Sequence, residues 1–489
     1  MKSSLMQRIF SVVLMITLLA SQGWATCGGG GGGGMGGMSR GTSGGPDAGA
    51  NQSTYPVPWR LIQPTDPPLK EGLAVYWLPS SQAELDKSSL HFSQLLSNYA
   101  TQCVTMGIVD QRTALGQKLA ANDKLPVAVL AQADGTLLGK AENKAGFLYV
   151  DQVEKLLDSE VKKRDSALKE RMDGAKAKAQ AGDNQSAVAE YRVVLEQKCL
   201  FPKRARDAAK ELKKLGATDV AEVPAGVNFD PGVMRRVAEA MRQGLEAENN
   251  ANYTQAERLY RSAHRMDPAD PTPLRYLGEL YRHHTGDWER AHQTFDAILA
   301  MRADPLSRAV ALHGLGKMTI HEGDFQKGLA LMEQSVREYP LALAYRNLAV
   351  YWNSEGDRAK ADFYTQAALK LDPRDPYNLV FAAAFLAGNG HRDQALKIAR
   401  ENEALLPASY NLAAIYAQAG EKEKALALLQ RHFFQYERYQ AVRSKEMMEA
   451  RVDAVFASLM QDPAFLALTK EADGKLPMRM SPNAKPAGE

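Results

Sequence analysis

The chain has few cysteines: Cys27, Cys103 and Cys199 are the three in 489 residues. No CxxC, CxxCH or paired Cys/His spacing occurs, which excludes zinc ribbons, c-type haem attachment and a scaffold stapled by disulfides. The sequence also lacks a glycine-rich phosphate loop with its Lys-Ser/Thr, an HExxH helix and a GxSxG turn. We therefore predict no catalytic residues, no metal site and no cofactor, and a protein that is not an enzyme.

Neither sign of charge is in marked excess. Sixty Lys and Arg residues against 57 Asp and Glu give a formal net charge of +3, which gives no reason to expect a nucleic-acid partner. Beyond residue 25, no stretch supplies the roughly 20 consecutive apolar residues of a membrane-spanning helix. With 45% hydrophobic and 24% charged residues, the composition is that of a globular chain, and the length predicts two or three structural units.

Residues 1–25 have the pattern of a secretory signal. A basic start precedes an apolar run at 9–20 that is too short for a stop-transfer helix, and small residues favour cleavage after Ala25. We predict export to the periplasm or cell envelope. Cys27 leaves an alternative open, because a cysteine that follows the apolar run and precedes a glycine spacer is where a lipoprotein carries its membrane anchor.

Two segments have too little apolar content to offset the entropy of ordering them. Residues 26–68 contain seven consecutive glycines and then a run of prolines, and we predict a flexible Gly/Pro-rich tether. Residues 471–489 contain three prolines and few large apolar side chains, and we predict a disordered tail.

Residues 69–163 alternate between strand and helix patterns. Apolar runs at 73–78 and 103–109 predict strands, the stretches 81–99, 113–121 and 149–160 predict helices, and 127–130 with 136–138 predict a hairpin. The order βαβαββα resembles the thioredoxin fold, on the residues Tyr76-Trp77 at the end of the first strand and Leu125-Pro126-Val127 before the hairpin. The resemblance implies a cis peptide bond before Pro126.

The motif on which thioredoxin chemistry depends is missing. The family carries a CxxC at the start of the helix after the Tyr-Trp strand, where the helix N-terminus lowers the pKa of the thiol. Here that stretch, 78–83, contains no cysteine, so the resemblance implies the fold without the oxidoreductase. We expect Cys103 to be a buried structural cysteine on the second strand, and its pairing with Cys199 stays open.

One signature recurs between about residues 166 and 435: a glycine, a polar or aromatic pair, a small residue and an apolar position four residues on. Its small residues are Ala187, Ala256, Ala291, Gly328, Ala361, Ala395 and Ala425. Without the outlying first copy, they are spaced by 35, 37, 33, 34 and 30 residues. A period near 34 indicates helical hairpins stacked as a solenoid.

This signature resembles the tetratricopeptide repeat. The small residues let two helices cross closely, the glycine permits the tight turn between them, and prolines after the second helix end it. We predict about six repeats over 231–435, an isolated hairpin of the same type with a further helix over 164–222, and capping helices over 436–470. The fold class is mostly α: a tetratricopeptide superhelix preceded by a small α/β thioredoxin-like domain over 69–163.

The tetratricopeptide resemblance implies an inner face, built mainly from first helices, that grips a protein or peptide and performs no catalysis. The positions that we expect to contact this partner are Arg275, Arg282, His283, His313, Lys317, Arg346, Asn347, Asn353 and Tyr410. Their polar, basic and apolar character predicts a groove for a segment with acidic and apolar anchors.

The sequence therefore predicts an exported adaptor or scaffold that binds another envelope protein. Two alternatives stay open. One is a thioredoxin-like thiol–disulfide enzyme or chaperone that uses Cys103 or Cys199, and the other is a structural surface protein that associates with itself. The sequence gives no indication of the oligomeric state.

Overall fold

The computed structural model describes residues 54–67, 69, 71–436 and 440–470. The predicted secretory signal, Cys27 and the predicted tail at 471–489 lie outside the described residues. Most of the described chain is helical, and a small sheet lies near its N-terminal end. No helix in these ranges is both long and apolar enough to cross a bilayer.

Five strands form one mixed sheet near the N-terminal end. They are β1 (Arg60–Leu61), β2 (Leu73–Leu78), β3 (Val104–Ile108), β4 (Val127–Gln132) and β5 (Leu137–Glu142). Their spatial order is β1-β3-β2-β4-β5. β3 pairs in parallel with β1 and β2, whereas β4 pairs antiparallel with β2 and β5. β2 and β4 are buried along almost their whole length, because they are the central strands of a sheet covered on both faces.

Four helices accompany the sheet: α1 (Gln82–Lys87), α2 (Gln94–Ala100), α3 (Ala114–Ala120) and α4 (Val150–Gln180). The hydroxyls of Ser81, Ser93 and Thr113 accept hydrogen bonds from backbone N–H groups in the first turns of α1, α2 and α3, which satisfies donors that the helix itself leaves unpaired. The peptide bond before Pro126 is cis, as expected.

The predicted flexible tether, 26–68, is wrong for residues 54–67. Tyr55 and Trp59 are fully buried, and β1 begins at Arg60. The Trp59 ring meets the Trp77 ring edge-on at 5.6 Å between centroids, and its Nε1 donates to the carbonyl of Leu90 at 2.6 Å. Tyr55 and Trp59 thus bury a large apolar area, although the average composition of the segment is poor in apolar residues.

Helix α4 continues past residue 160, where the sequence pattern indicates its end, and reaches Gln180. The predicted boundary at 163–164 therefore falls within one continuous helix. The far end of α4 packs with α5 (Asn184–Glu196) and α6 (Pro202–Lys214). The signature residues Ala187 and Tyr191 lie in the core of this unit and are buried.

Cys103 and Cys199 form a disulfide, with their Cα atoms 5.8 Å apart. Cys103 stands one residue before β3, has a φ of 58° and is partly exposed. The expectation of a buried thiol on the strand is therefore wrong, because the backbone leaves the extended conformation at this residue and the sulfur is bonded. Arg302 Nη1 donates to the carbonyls of Lys198 and Cys199 at 2.8 and 2.7 Å, so the repeats contact the disulfide loop.

Helical hairpins follow along the chain after Pro231. Their helices are α7 (Pro231–Asn249), α8 (Tyr253–Met266), α9 (Thr272–Glu279), α10 (Trp288–Ala300), α11 (Pro305–His321), α12 (Phe325–Glu338), α13 (Ala342–Ser354), α14 (Arg358–Leu371), α15 (Pro376–Gly388), α16 (Arg392–Asn402), α17 (Tyr410–Ala419) and α18 (Lys422–Arg431). A π-helical segment, Leu280–Thr285, continues α9. Each odd-numbered helix pairs with the helix after it, as the repeat signature predicts.

Small residues stand where the hairpin helices approach most closely. Ala256, Ala291 and Ala395 are fully buried. A Cβ atom on Gly278 would lie 2.3 Å from Cε1 of Phe295, a distance that no carbon pair tolerates, so only glycine fits there without movement. The helices of one hairpin therefore cross at the closeness that the signature predicts.

Helices also form the C-terminal part of the described chain. After a π-helical segment, His432–Tyr436, come α19 (Gln440–Val452), a 3₁₀ segment (Ala454–Leu459) and α20 (Pro463–Leu468). Met447, Ala450, Phe456 and Phe465 are fully buried in a core shared with α15 to α18.

Candidate functional site

The first helices of the hairpins carry the nine residues expected to contact a partner. In the structure, α9 packs beside α11, and α15 packs beside both α13 and α17. We use the name first-helix face for the polar surface made by Arg275, Arg282, His283, His313, Lys317, Arg346 and Asn347. Most of these side chains are buried, because other parts of the same chain cover them.

Arg282 and Glu279 form a buried ion pair on the first-helix face. Arg282 Nη2 donates to Glu279 Oε2 at 2.6 Å, and less than a twentieth of either side chain is exposed. A buried charge of this kind needs a partner because burial removes its hydration. Glu279 therefore compensates much of the positive charge of Arg282. The remaining positive charge of the face comes from the other basic residues, Arg275, Lys317 and Arg346.

His283 and His313 are buried and neutral. Burial lowers the pKa of both side chains well below the usual value for histidine, and the nearby cations Arg282 and Lys317 lower it further. Asn347 Nδ2 donates to His313 Nε2 at 2.8 Å, which requires that this ring nitrogen carry no proton. The two imidazoles therefore offer hydrogen-bonding groups without adding charge.

A carboxylate from the C-terminal part of the chain reaches the first-helix face. Glu449 of α19 lies 2.6 Å from Nε2 of His321, the last residue of α11. Burial alone raises the pKa of Glu449, but His321 and Lys317 lower it more, and the pKa is about 2. Glu449 is therefore a carboxylate at every pH at which the protein is expected to function.

A second carboxylate and an apolar side chain of α19 make similar contacts. Glu446 Oε2 lies 3.0 Å from Nε2 of His432. Met447, the next residue, is fully buried against the core of the last hairpins. α19 also packs against Leu280–Thr285, the π-helical segment, so this helix contacts both early and late hairpins.

Tyr410 lies beneath the residues that follow α19. Its hydroxyl donates to Asp453 Oδ2 at 3.1 Å, and its ring meets the Phe456 ring edge-on at 5.0 Å. Burial raises the pKa of Asp453 to about 6. The hydroxyl of the predicted site residue Tyr410 is thus engaged in a hydrogen bond within the chain.

The N-terminal segment covers the other end of the first-helix face, near Arg275. Tyr55 donates from its hydroxyl to Asp270 Oδ2 at 2.6 Å. The Tyr339 hydroxyl donates to the carbonyl of Trp59 at 3.0 Å. Residues 54–62 therefore lie between the sheet and the first hairpins.

Two predicted residues are less covered. Arg346 is partly exposed, and its Nη1 donates to Asn378 Oδ1 at 3.4 Å. Asn353 is exposed near the end of α13. The structure therefore brings most of the predicted residues onto one surface and leaves Asn353 apart from the buried cluster.

Sequence reasoning missed the acidic side of this site. Glu446 and Glu449 come from a segment predicted only to cap the repeats. A signal existed in the sequence, since two acids three residues apart flank two methionines there, and acids at this spacing share one face of a helix.

A cavity of about 610 Å³ lies between the sheet and the repeats. Pro79, Ser80 and Ser81 line it on the side of the sheet, just after β2, and Val336 and Leu371 line it on the side of the repeats. No cysteine is among the described residues around it. The described lining of the cavity therefore offers no thiol that could act on a disulfide.

One group of potential metal ligands occurs among the described residues, formed by Glu71, Cys103 and Cys199. The two sulfur atoms are joined in the disulfide, so they are not the thiolates that bind soft metals.

Comparisons with known proteins give limited likeness. No protein-family model matches the chain. The chain is similar to "Protein CTR9 homolog" of Arabidopsis thaliana, with 26% identity over 235 residues that cover 37% of this chain and 21% of the relative. It thus spans about a fifth of the length of that curated relative.

Among solved structures, the chain is similar to PilW, titled a widely conserved type IV pilus biogenesis factor. The identity is 16% and the TM-score 0.29, and the match covers 51% of this chain and 98% of PilW. We infer nothing about this chain from a likeness at that TM-score. The period, the paired helices and the buried small residues of the chain itself are those of stacked helical hairpins.

Proposed function

We propose that this protein is an exported, non-enzymatic adaptor or scaffold that binds another protein of the cell envelope through the first-helix face. One observation carries the proposal: a helix of the same chain, α19, already lies against this side of the hairpins, with Glu449 2.6 Å from His321 at the end of α11 and with Met447 buried. Grooves that bind one amphipathic helix through such contacts are suited to bind another.

The α/β unit is, in this proposal, a thioredoxin-like domain used for docking and not for redox chemistry. The strand order β1-β3-β2-β4-β5, with β4 antiparallel, supports the assignment. The absence of cysteine at 78–83 argues against oxidoreductase activity. Its contacts with the hairpins, such as Tyr55 with Asp270, suit a domain that orients the repeats.

Export is part of the proposal and has support besides the leader pattern at 1–25. A disulfide such as Cys103–Cys199 persists in oxidising compartments and is rare where thiols are kept reduced. Anchoring through Cys27 remains the alternative to a mature chain that begins at Thr26, and the intact mass of the mature protein distinguishes the two.

Charge reversal on the first-helix face tests the proposal. Proteins crosslinked in intact cells would be recovered with the wild-type chain, with Arg346→Glu and with Arg358→Glu. Arg346 is on the face, whereas Arg358 is exposed at the start of the second helix α14. Recovery of the partner should fall by about tenfold or more for Arg346→Glu and stay unchanged for Arg358→Glu. Equal recovery of the same partner with both variants would exclude the first-helix face as its binding site.

The two alternative functions make different predictions in simple assays. A thiol–disulfide enzyme would reduce insulin disulfides after mild reduction and lose this activity with Cys103→Ala. A self-associating surface protein would give particles larger than one chain in light scattering at micromolar concentration, without any other protein present.

A further inference from the structure

Helix α19 is seated on the first-helix face as a ligand would be. Its two acids contact His321, the last residue of α11, and His432, in the π-helical segment after α18, at 2.6 and 3.0 Å. Lys317 adds a positive charge near Glu449. The face is basic and the side of α19 turned toward it is acidic, so their charges are complementary.

The contacts of α19 follow a simple spacing. Glu446 and Glu449 are three residues apart and so are Met447 and Ala450, which are fully buried. Residues three apart lie on the same side of a helix. One edge of α19 is therefore acidic, and the adjacent edge, where Met447 and Ala450 lie, is apolar.

Both apolar packing and carboxylate contacts hold α19 in place. Among its described side chains, Ser444, Met447 and Ala450 are the buried ones. By comparison, α17 is shorter and buries seven side chains, among them Leu412, Ile415 and Tyr416. The helix α17 is thus held by packing along most of its length, whereas α19 makes two carboxylate contacts to histidines besides the packing of Met447 and Ala450.

We infer that the partner binds the first-helix face through an amphipathic helix of the same chemistry, with two acids three residues apart beside a methionine or another flexible apolar residue, and that α19 occupies the site until this helix displaces it. The inference rests on the proposed function and specifies its partner class. A partner must compete with a tethered helix, so the apparent affinity is reduced by the fraction of molecules in which α19 is seated.

A synthetic peptide with the sequence 440–452, blocked at both ends and labelled with a fluorophore, is the probe. Its binding to the full chain would be measured by fluorescence anisotropy for the wild type, for Glu446→Gln/Glu449→Gln and for the control Glu401→Gln/Glu423→Gln. The control removes two acids that are exposed on α16 and α18.

The double variant should bind the peptide about tenfold more tightly than the wild type, and the control should match the wild type. Adding Lys317→Met to the double variant should lower its affinity for the peptide by about fivefold or more. No binding to the double variant, or equal binding to all chains, would overturn the inference and make α19 a fixed part of the fold.

Hydrogen exchange on the unaltered chain covers the case in which the double variant does not fold. Excess peptide with norleucine in place of both methionines, so that its fragments differ in mass, should speed amide exchange in 440–452 of the wild type and leave α17 unchanged. Unchanged exchange in both segments would overturn the inference. Recovery of a cellular partner is a separate readout. An Arg346→Glu variant that keeps its partner contradicts the proposed function. A peptide that does not bind contradicts only the inferred class of partner.

Discussion

Glu449 and His321 lie 2.6 Å apart, although one belongs to the C-terminal helix α19 and the other ends the first helix of a hairpin far earlier in the chain. The contact joins an acidic helix edge to a basic surface. The pKa of Glu449 is low, about 2, because the nearby basic groups favour its charged form. The pair marks the place where the chain covers its own predicted binding surface.

The buried neutral histidines predict a pH dependence of stability. The pKa of His313 in the folded protein lies well below 6.5, so below pH 6.5 the unfolded state gains a proton that the folded state does not accept. The free energy of unfolding should therefore fall as the pH drops below 6.5, by up to about 1.4 kcal/mol per pH unit for each such histidine.

Urea unfolding between pH 7.5 and 5 checks this for His313→Gln, which keeps an acceptor for Asn347. The variant should show a shallower loss of stability than the wild type, and the exposed His391→Gln should match the wild type. Equal slopes for all three chains would contradict a neutral His313.

The turn between α7 and α8 should gain stability from a glycine. Ala251 has a φ of 56°, whereas the equivalent turn residue of the next hairpin is Gly286 with a φ of 66°. A left-handed conformation costs an L-residue about 1–2 kcal/mol, and glycine loses part of this gain through the entropy of the unfolded chain. Ala251→Gly should raise the free energy of unfolding by about 0.5–1 kcal/mol and with it the thermal midpoint. Gly286→Ala should lower both. A lower midpoint for Ala251→Gly would show that this turn does not follow the repeat pattern.

The closest helix crossing should not accept a methyl group. Gly278→Ala places a Cβ 2.3 Å from Cε1 of Phe295, and overpacking of this kind costs about 1–3 kcal/mol. Gly174→Ala in α4 is the matched control, because nothing lies within 4 Å of its Cβ position. Calorimetry should give a lower midpoint for the first variant and an equal or higher one for the second. Equal midpoints would contradict the helix pairing described for α9 and α10.

Reduction of the disulfide should destabilise the N-terminal part of the molecule. Cys103 and Cys199 are separated by 96 residues, and closing a loop of that length lowers the entropy of the unfolded chain enough to contribute about 4–5 kcal/mol. Reductant should lower the thermal midpoint of the wild type and leave Cys103→Ser/Cys199→Ser unchanged. A wild-type midpoint that reductant does not move would mean that the bridge contributes no stability.

Local chemistry predicted much of this fold. A period near 34 residues and small residues such as Ala256 and Ala291 identified paired helices, since close crossings admit few residue types. The alternation of strand and helix patterns predicted the position of the sheet. The lack of cysteine at 78–83 excluded a CxxC motif in that stretch. These features depend on residues near one another in sequence.

The parts that sequence reasoning missed depend on distant residues. Nothing near Cys103 indicates Cys199 as its partner, and nothing near Tyr55 indicates Asp270. Glu449 has the spacing of an ordinary solvated helix face, and only the position of His321 makes it part of a site. The basic residues of the first-helix face were predicted, but their coverage by the same chain was not.

The central claim is that the partner binds on the first-helix face, and site-specific photocrosslinking in intact cells tests it most directly. A photoreactive phenylalanine analogue would replace Arg346 on the face or, as the control, Arg358 on the second helix α14. We predict an adduct with one other protein from position 346, stronger when Glu446→Gln/Glu449→Gln is also present, and no such adduct from position 358. An adduct from position 358 alone, or equal adducts from both positions, would contradict the account.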